Sequence, residues 1–399
     1  MELSHLNLKY ALVNIAYLLL ICGTLGYAYN FLSQSGFDDG TAGMVITTVS
    51  LLGVFAGPTA GSLVDSSEKI TQKLFISASM IVTIAMACVL TLMPNGSPII
   101  IPVVIICFMS ASIGMPLLNG MAFIYEKEGG VINYGLCRGL GSAAYAVGSN
   151  IVGRLWSAFG KDALPGYIIA AALFTLAAIN LMPNVRSQRG EEAGGDKDQT
   201  SKSLSLPQFF SKYRDVSLVV VSLVLMYFCH FIINTYMAKV IGMFVDTNIE
   251  TIQGNALFIA AMLELPTMFA FSFILQRLGV NKILVFASVM YSIKHVVTFM
   301  AANVPMFYGA MALQVVSYAL LVPATVYFAN EHVAEEDRNK GQAVFAASSS
   351  IGGLLASFLG GWLFTLIPVR GVLAIGAASS VCGTLLMIFA LRLIAAKGE

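Results

Sequence analysis

Charge is what this sequence has least of. Its 399 residues include 22 Lys and Arg and 21 Asp and Glu, 11% in all, where a soluble globular chain carries about 25%. So thin a charged surface excludes water as the main solvent. A formal net charge of +1, with no basic stripe or strongly basic segment, excludes nucleic acid as a partner. The six cysteines (Cys22, Cys88, Cys107, Cys137, Cys229 and Cys382) fall inside or at the ends of apolar runs. They form no Cys-x-x-Cys pair and have no His beside them at ligand spacing. They are read as buried, inert thiols, and neither a disulfide, a metal site nor a cofactor is expected. A basic segment ahead of the first apolar run, near Tyr10, and a small-residue cleavage site after it are both absent, so that run is expected to be a retained helix.

What remains is apolar: 57% of the residues are hydrophobic and the mean hydropathy is +0.81. Crossing the hydrocarbon core takes about 20 apolar residues, and runs of that kind recur twelve times. Six come first, at Tyr10–Leu32, Thr41–Val64, Leu74–Met93, Ile99–Ile124, Tyr134–Phe159 and Tyr167–Met182. Six follow, at Val216–Phe244, Ala256–Gln276, Ile283–Met300, Met306–Ala329, Gln342–Ile367 and Gly371–Leu393. Between them, residues 184–215 are rich in charge, Gly and Ser and cannot bury a core. The expected organisation is an all-α membrane protein of twelve transmembrane helices in two pseudo-symmetric six-helix bundles, residues 1–183 and 216–399, joined by a cytoplasmic linker, 184–215.

With a cytoplasmic N-terminus, nearly all Lys and Arg fall on inner loops and tails, and the outer loops hold only Lys161 and Arg370. The positive-inside rule then places both termini in the cytoplasm of a plasma or inner membrane. Helix 5 (Gly135, Ser142, Gly148, Gly153, Trp156) and helix 11 (Gly341, Ser348, Gly352, Gly360, Trp362) share a pattern. Parallel six-helix repeats are one way to build an alternating-access carrier with its site at the repeat interface. On helix 2, Gly53, Gly57 and Gly61 stand four apart around Pro58, which suits close helix packing whether or not the helix moves.

Of the 21 acidic residues, Glu264 alone lies near the middle of an apolar span. A charge there costs at least about 2.5–3.5 kcal/mol, so it is expected to face a cavity and to hold a partner or a proton. Lys294 is the first choice of partner, since helices 8 and 9 are consecutive; Lys239 on helix 7 is a further cation. His295 and His230 suit either proton relay or simple hydrogen bonding in the packing. Arg138 and Arg154 on helix 5 suit either a cavity or snorkelling to an interface. Hydroxyl-rich solutes need hydrogen bonds and a ring face, offered by Asn14, Tyr17, Tyr27 and Asn30 on helix 1, Asn119 on helix 4, Tyr145 on helix 5, Asn234 and Tyr236 on helix 7, and Gln314 and Tyr318 on helix 10.

The run Tyr134-Gly-Leu-Cys-Arg138-Gly-Leu-Gly-Ser-Ala-Ala-Tyr145 resembles the helix 5 signature of the lactose-permease-like oligosaccharide/proton symporter branch of the major facilitator superfamily. Met262-Leu263-Glu264-Leu265, Gln276-Arg277-Leu278-Gly279 and Ser292-Ile293-Lys294 resemble its helix 8, the following turn and helix 9. Gly61-Ser62-Leu63-Val64-Asp65 resembles part of the superfamily's loop 2–3 signature, with the Arg-rich remainder replaced by Ser66-Ser67-Glu68-Lys69.

The resemblance implies that Arg138 and Glu264 contact sugar hydroxyls, that Tyr145 stands for a stacking Trp, that Lys294 replaces an Arg near the proton site, and that Gly61 and Asp65 serve conformational gating. Several family residues are missing. The helix 4 carboxylate appears as Asn119-Gly120-Met121, the helix 10 His and Glu have no counterpart in residues 310–316, and the aspartates of helix 7 and the lysine of helix 11 are absent. Proton coupling is therefore expected at Glu264, with Lys294 and His295 beside it. Solute contacts are expected from Arg138, Tyr145, Asn119, Tyr27, Asn234, Tyr236, Gln314 and Glu264.

The expected function is proton-coupled symport of a sugar-like or nucleoside-like solute by a monomer, with the solute, protons and the bilayer as partners. A proton-antiport exporter of drugs or sugars is the alternative. An enzyme lacks a nucleophile–base or metal constellation in this sequence, and a receptor lacks a sizeable soluble domain.

Overall fold

Apolar length decides the architecture. In the computed structural model, which describes residues 5–67, 69–184 and 205–398 without the side chains of residues 65, 127, 339 and 397, eleven helices are long and apolar enough to cross a membrane. In chain order the spans are Leu6–Gln34, Asp39–Ser66, Gln72–Leu92, Ile100–Glu126, Tyr134–Phe159, Ala163–Asn180, Arg214–Thr235, Ile249–Leu278, Val280–Met300, Val304–His332, Arg338–Leu366 and Val369–Gly398. The fifth, Tyr134–Phe159, is the one that fails on apolarity: it is 26 residues long but carries Arg138, Arg154 and five glycines. With it the count is twelve. The chain is an all-helical, multi-pass membrane protein.

The chain divides into two compact units. The first holds the first six spans together with residues 247–258. The second holds the rest, from the seventh span onward. Most of the expected linker lies outside the described residues. In its last part Ser205 caps a short helix, Leu206–Lys212, through a capping box with Gln208, and Phe209 of that helix is fully buried.

Within each unit the helices pair in the same way. In the first unit the first span packs on the fifth and sixth, and the third packs on the fourth and sixth. In the second unit the seventh packs on the eleventh and twelfth, and the ninth on the tenth and twelfth. Glycine permits the tightest of these crossings. A Cβ on Gly141 would press on the backbone of Asn14, and one on Gly352 would press on the backbone of Tyr227. Lipid supplies no hydrophobic drive between helices, so such close backbone approach is a main source of association.

The glycines of the second span behave differently from the expectation. A Cβ on Gly53 or Gly61 would meet nothing within 4 Å among the described residues, and only Gly57 touches another helix, at Pro116. Two cysteines read as buried, Cys88 and Cys382, are exposed on their spans; all six are free thiols.

Three local departures from regular helix bonding mark the second unit. The seventh span stops at Thr235 and resumes as the short helix Met237–Ile241. Pro266 lies inside the continuous eighth span two residues after Glu264 and removes the amide that would bond the Met262 carbonyl. The tenth span tightens into a 3-10 stretch at Leu313–Val316. There the Ser317 hydroxyl bonds the Leu313 carbonyl at 2.8 Å, competing with the helical amide.

Candidate functional site

Each unit gathers buried polar side chains inside its own bundle. In the second unit the central group is a three-membered chain. The Lys294 ammonium, 1% exposed, donates to Oε1 of Gln314, and Nε2 of Gln314 donates to Oε1 of Glu264 at 2.6 Å. Glu264 comes from the middle of the eighth span, two residues before Pro266, Lys294 from the ninth, and Gln314 from the 3-10 stretch of the tenth. The expected direct pairing of Glu264 with Lys294 is replaced by a bridge: among the described residues no ion pair joins them, and a neutral amide stands between. Gln314, expected as a solute contact, is that bridge. Its amide orientation is dictated by its neighbours, since an ammonium only donates and an ionised carboxylate only accepts.

A ring cluster adjoins the chain. His295, 1% exposed, holds Nδ1 at 2.8 Å from the Ser380 hydroxyl. His230 stacks on Tyr318 with ring centres 5.0 Å apart, and its Nε2 lies 2.9 Å from Nδ2 of Asn234. Asn234 is thus committed to His230, whose carbonyl its Nδ2 also bonds, and not set apart for a solute. Tyr291 lies between the two histidines, 4.5 Å from His295 and 5.4 Å from His230 between ring centres, and under the Lys294 ammonium at 5.9 Å. Lys239 sits apart, over the Phe364 ring.

Two expected solute contacts prove to be packing residues. Tyr27 is fully buried, donates to the Ser149 carbonyl at 2.7 Å and stacks on Trp156. Tyr236 is fully buried and donates to the Ser357 carbonyl at 2.5 Å. A phenol whose ring closes a helix crossing and whose hydroxyl already bonds a backbone carbonyl has little to offer a solute. Tyr17 is spent likewise, on the Ala111 carbonyl.

The first unit keeps other groups available. Arg138 is half-buried and bonds Ser142, one turn away, at 3.1 Å; among the described residues no carboxylate pairs with it. Tyr145, also half-buried, lies two turns further along the same helix. Oδ1 of Asn119 and Oδ1 of Asn14 are buried with no hydrogen-bond partner among the described residues, a state buried polar atoms rarely adopt without a ligand or water. Gly61 lies in the second span with open space around it, and the side chain of Asp65 lies outside the described residues.

Residues 247–258 add a polar seam that the sequence did not announce. Asn30 bonds Gln253 at 2.9 Å, Gln34 bonds the buried Glu250 at 2.6 Å, and Asn150 bonds Asn255 at 2.5 Å. Arg154 donates to Asn150 at 2.8 Å, so it serves this seam.

Residues 8–371 match the sequence model of the MFS_1 like family. No curated protein sequence matches the chain significantly. Among solved structures, the nucleoside transporter NupG has a TM-score of 0.75 at 14% identity, over 98% of this chain and 99% of its own, and a point mutant of it reaches 0.81. A bacterial homologue of the iron transporter ferroportin, in an inward-facing state, has a TM-score of 0.68 at 15% identity over 97% of this chain and 99% of its own. An auto-inhibited POT family peptide transporter has 0.71 at 11% identity over 97% and 96%. At such identities the likeness speaks for the fold alone.

Proposed function

The chain belongs to the MFS_1 like family and is a membrane transporter, not an enzyme, and we propose that it moves a small hydroxyl-bearing solute of the sugar or nucleoside kind together with a proton bound at Glu264. The observation that carries this reading is the Lys294–Gln314–Glu264 chain. Glu264 lies within a membrane span and its hydrogen-bond partner is a neutral amide, not a cation. Such a carboxylate either keeps its charge near an opposite one or takes a proton.

The hydrogen-bond sense links the proton to the solute. Ionised Glu264 is acceptor-only and is satisfied by Nε2 of Gln314. Protonated Glu264 gains an O–H that Nε2, a donor, cannot accept. That new donor needs an acceptor, and a solute hydroxyl or carbonyl oxygen supplies one. Proton and solute thereby favour each other's binding, which is the thermodynamic requirement for coupling. Arg138, Asn119 and Tyr145 are the candidate solute contacts of the first unit, taken by itself, in this reading. Both termini lie in the cytoplasm, in keeping with the distribution of Lys and Arg.

Nucleosides stand beside sugars because NupG, a nucleoside transporter, shares the fold. The test is solute-driven proton movement in proteoliposomes, over a panel of monosaccharides, disaccharides and nucleosides. Proton entry with one class of solute is expected. Proton exit against solute entry would mark an antiporter, and no proton movement with any solute that is transported would overturn the assignment.

A further inference from the structure

His295 stands one residue from Lys294, but its ring is held by a different helix and a different set of bonds. Those bonds can be followed atom by atom. The Thr384 hydroxyl lies 2.8 Å from the Ser288 carbonyl and 3.7 Å from the Met226 sulfur. Both can only accept, so its proton is committed there. Ser292 lies 2.7 Å from Thr384 and must donate to it. Ser380 lies 3.1 Å from Ser292 and must in turn donate to Ser292. His295 Nδ1, 2.8 Å from Ser380, is then the donor to Ser380. The neutral ring carries its proton on Nδ1, and Nε2 is a bare acceptor. It is buried and has no hydrogen-bond partner among the described residues.

The facing histidine has the opposite sense. Nδ2 of Asn234 bonds the His230 carbonyl, which fixes the amide orientation, and its other hydrogen reaches His230 Nε2. His230 Nε2 therefore accepts, and its Nδ1 carries a proton and is also buried without a partner. The two ring centres are 6.3 Å apart. The Tyr291 hydroxyl, packed between them, is likewise buried and unpartnered. A bare acceptor, a bare donor and a free hydroxyl thus share one cluster, next to Lys294.

We propose that His295 is a second proton-accepting site, distinct from Glu264, whose Nε2 is kept bare by the hydroxyls of Ser380, Ser292 and Thr384 acting as positioning residues. The inference rests on the proton-coupled reading above. The titratable groups beside His295 are Lys294 on its own helix, His230 on the seventh span and Tyr291 one turn away; behind them, Tyr227 of the seventh span and Tyr318 of the tenth face Tyr291, Cys229 lies near Lys294, and Glu264 is reached by way of Gln314.

The test is nitrogen NMR of 15N-histidine-labelled protein in lipid nanodiscs, with the His295 signals identified by their loss in His295→Gln. Above the usual imidazole range, wild-type His295 should show the neutral Nδ1–H form, and acidification should convert it to the doubly protonated ring. Ser380→Ala should replace the single form by a mixture or by the Nε2–H form, and Ser380→Thr, which restores a hydroxyl, should return it. If Ser380→Ala does not fold, Thr384→Val breaks the same chain from its far end and gives the same readout. An Nε2–H signal in the wild type, an unchanged signal when the chain is broken, or a ring that stays neutral throughout the pH range in which transport operates overturns the proposal. The spectra do not depend on turnover, so failure of proton coupling in proteoliposomes and failure of this assignment are told apart.

Discussion

Gln314 accepts a hydrogen bond from Lys294 and donates one of 2.6 Å to Glu264, so one amide separates the two opposite charges. Its removal leaves both without that partner. Gln314→Leu should lower stability by about 1–3 kcal/mol, the cost of unsatisfied buried polar groups, and should abolish solute-driven proton movement. Thermal unfolding in detergent together with proteoliposome flux checks both. An unchanged melting temperature would show that the bridge contributes nothing to the fold.

The glycines of the second and eleventh spans should answer differently to enlargement. Gly352→Val drives a side chain into the Tyr227 backbone and should cost about 1–3 kcal/mol or more, as overpacking does. Gly61→Ala meets open space and should leave stability within about 0.5 kcal/mol. Transport by Gly61→Ala is the informative reading for gating: a lowered rate in a protein of unchanged stability points to a moving part, and a normal rate removes Gly61 from that role.

Outside the spans, the short helix Leu206–Lys212 is tied down by charge. Lys212 bonds Asp337 at 2.8 Å and Glu336 at 3.2 Å, and the Tyr213 hydroxyl bonds Asp337 at 2.9 Å. Lys212, and after it Tyr213, holds the Asp337 carboxyl below its usual range. Asp337, then Tyr213 and Glu336, holds the Lys212 ammonium above its own. A carboxylate with a depressed folded pKa stabilises fully above its unfolded value, and that contribution is lost as pH falls through the folded one. The raised lysine behaves oppositely: its contribution is complete below the ordinary lysine value and is lost as pH rises through the folded one. At neutral pH both are present. Asp337→Asn should therefore lower the melting temperature at neutral pH and have progressively less effect as the pH falls below the ordinary carboxylate range. An equal loss at every pH would contradict the ionic account.

Architecture was legible in the sequence because twelve apolar runs report directly on the bilayer; Gly141, whose approach to Asn14 parallels that of Gly352 to Tyr227, stood outside the glycine pattern read on helix 5. The place of Glu264 inside a span was legible for the same reason, as one acid where acids are costly. What periodicity could not supply was partnership. Tyr27 and Tyr236 read as solute contacts, yet their hydroxyls reach backbone carbonyls more than 100 residues away in sequence. Gln314 bridges from a 3-10 stretch whose Leu313 carbonyl accepts from the hydroxyl of Ser317, a residue unremarkable by itself. Glu250 looked like an ordinary helix-end acid and is buried against Gln34. Ser292, Ser380 and Thr384 passed as routine hydroxyls of apolar spans, and only their mutual distances make them a chain.

The central claim is that Glu264 binds the coupled proton, and the most direct measurement compares Glu264→Gln with the wild type in proteoliposomes. The substitution keeps the side chain's size and an oxygen that can accept from Gln314, but it cannot exchange a proton. The account predicts that Glu264→Gln retains solute exchange while losing both proton movement and uphill accumulation under an imposed pH gradient. Proton-coupled accumulation by Glu264→Gln at the wild-type rate would contradict it and place the coupling proton elsewhere.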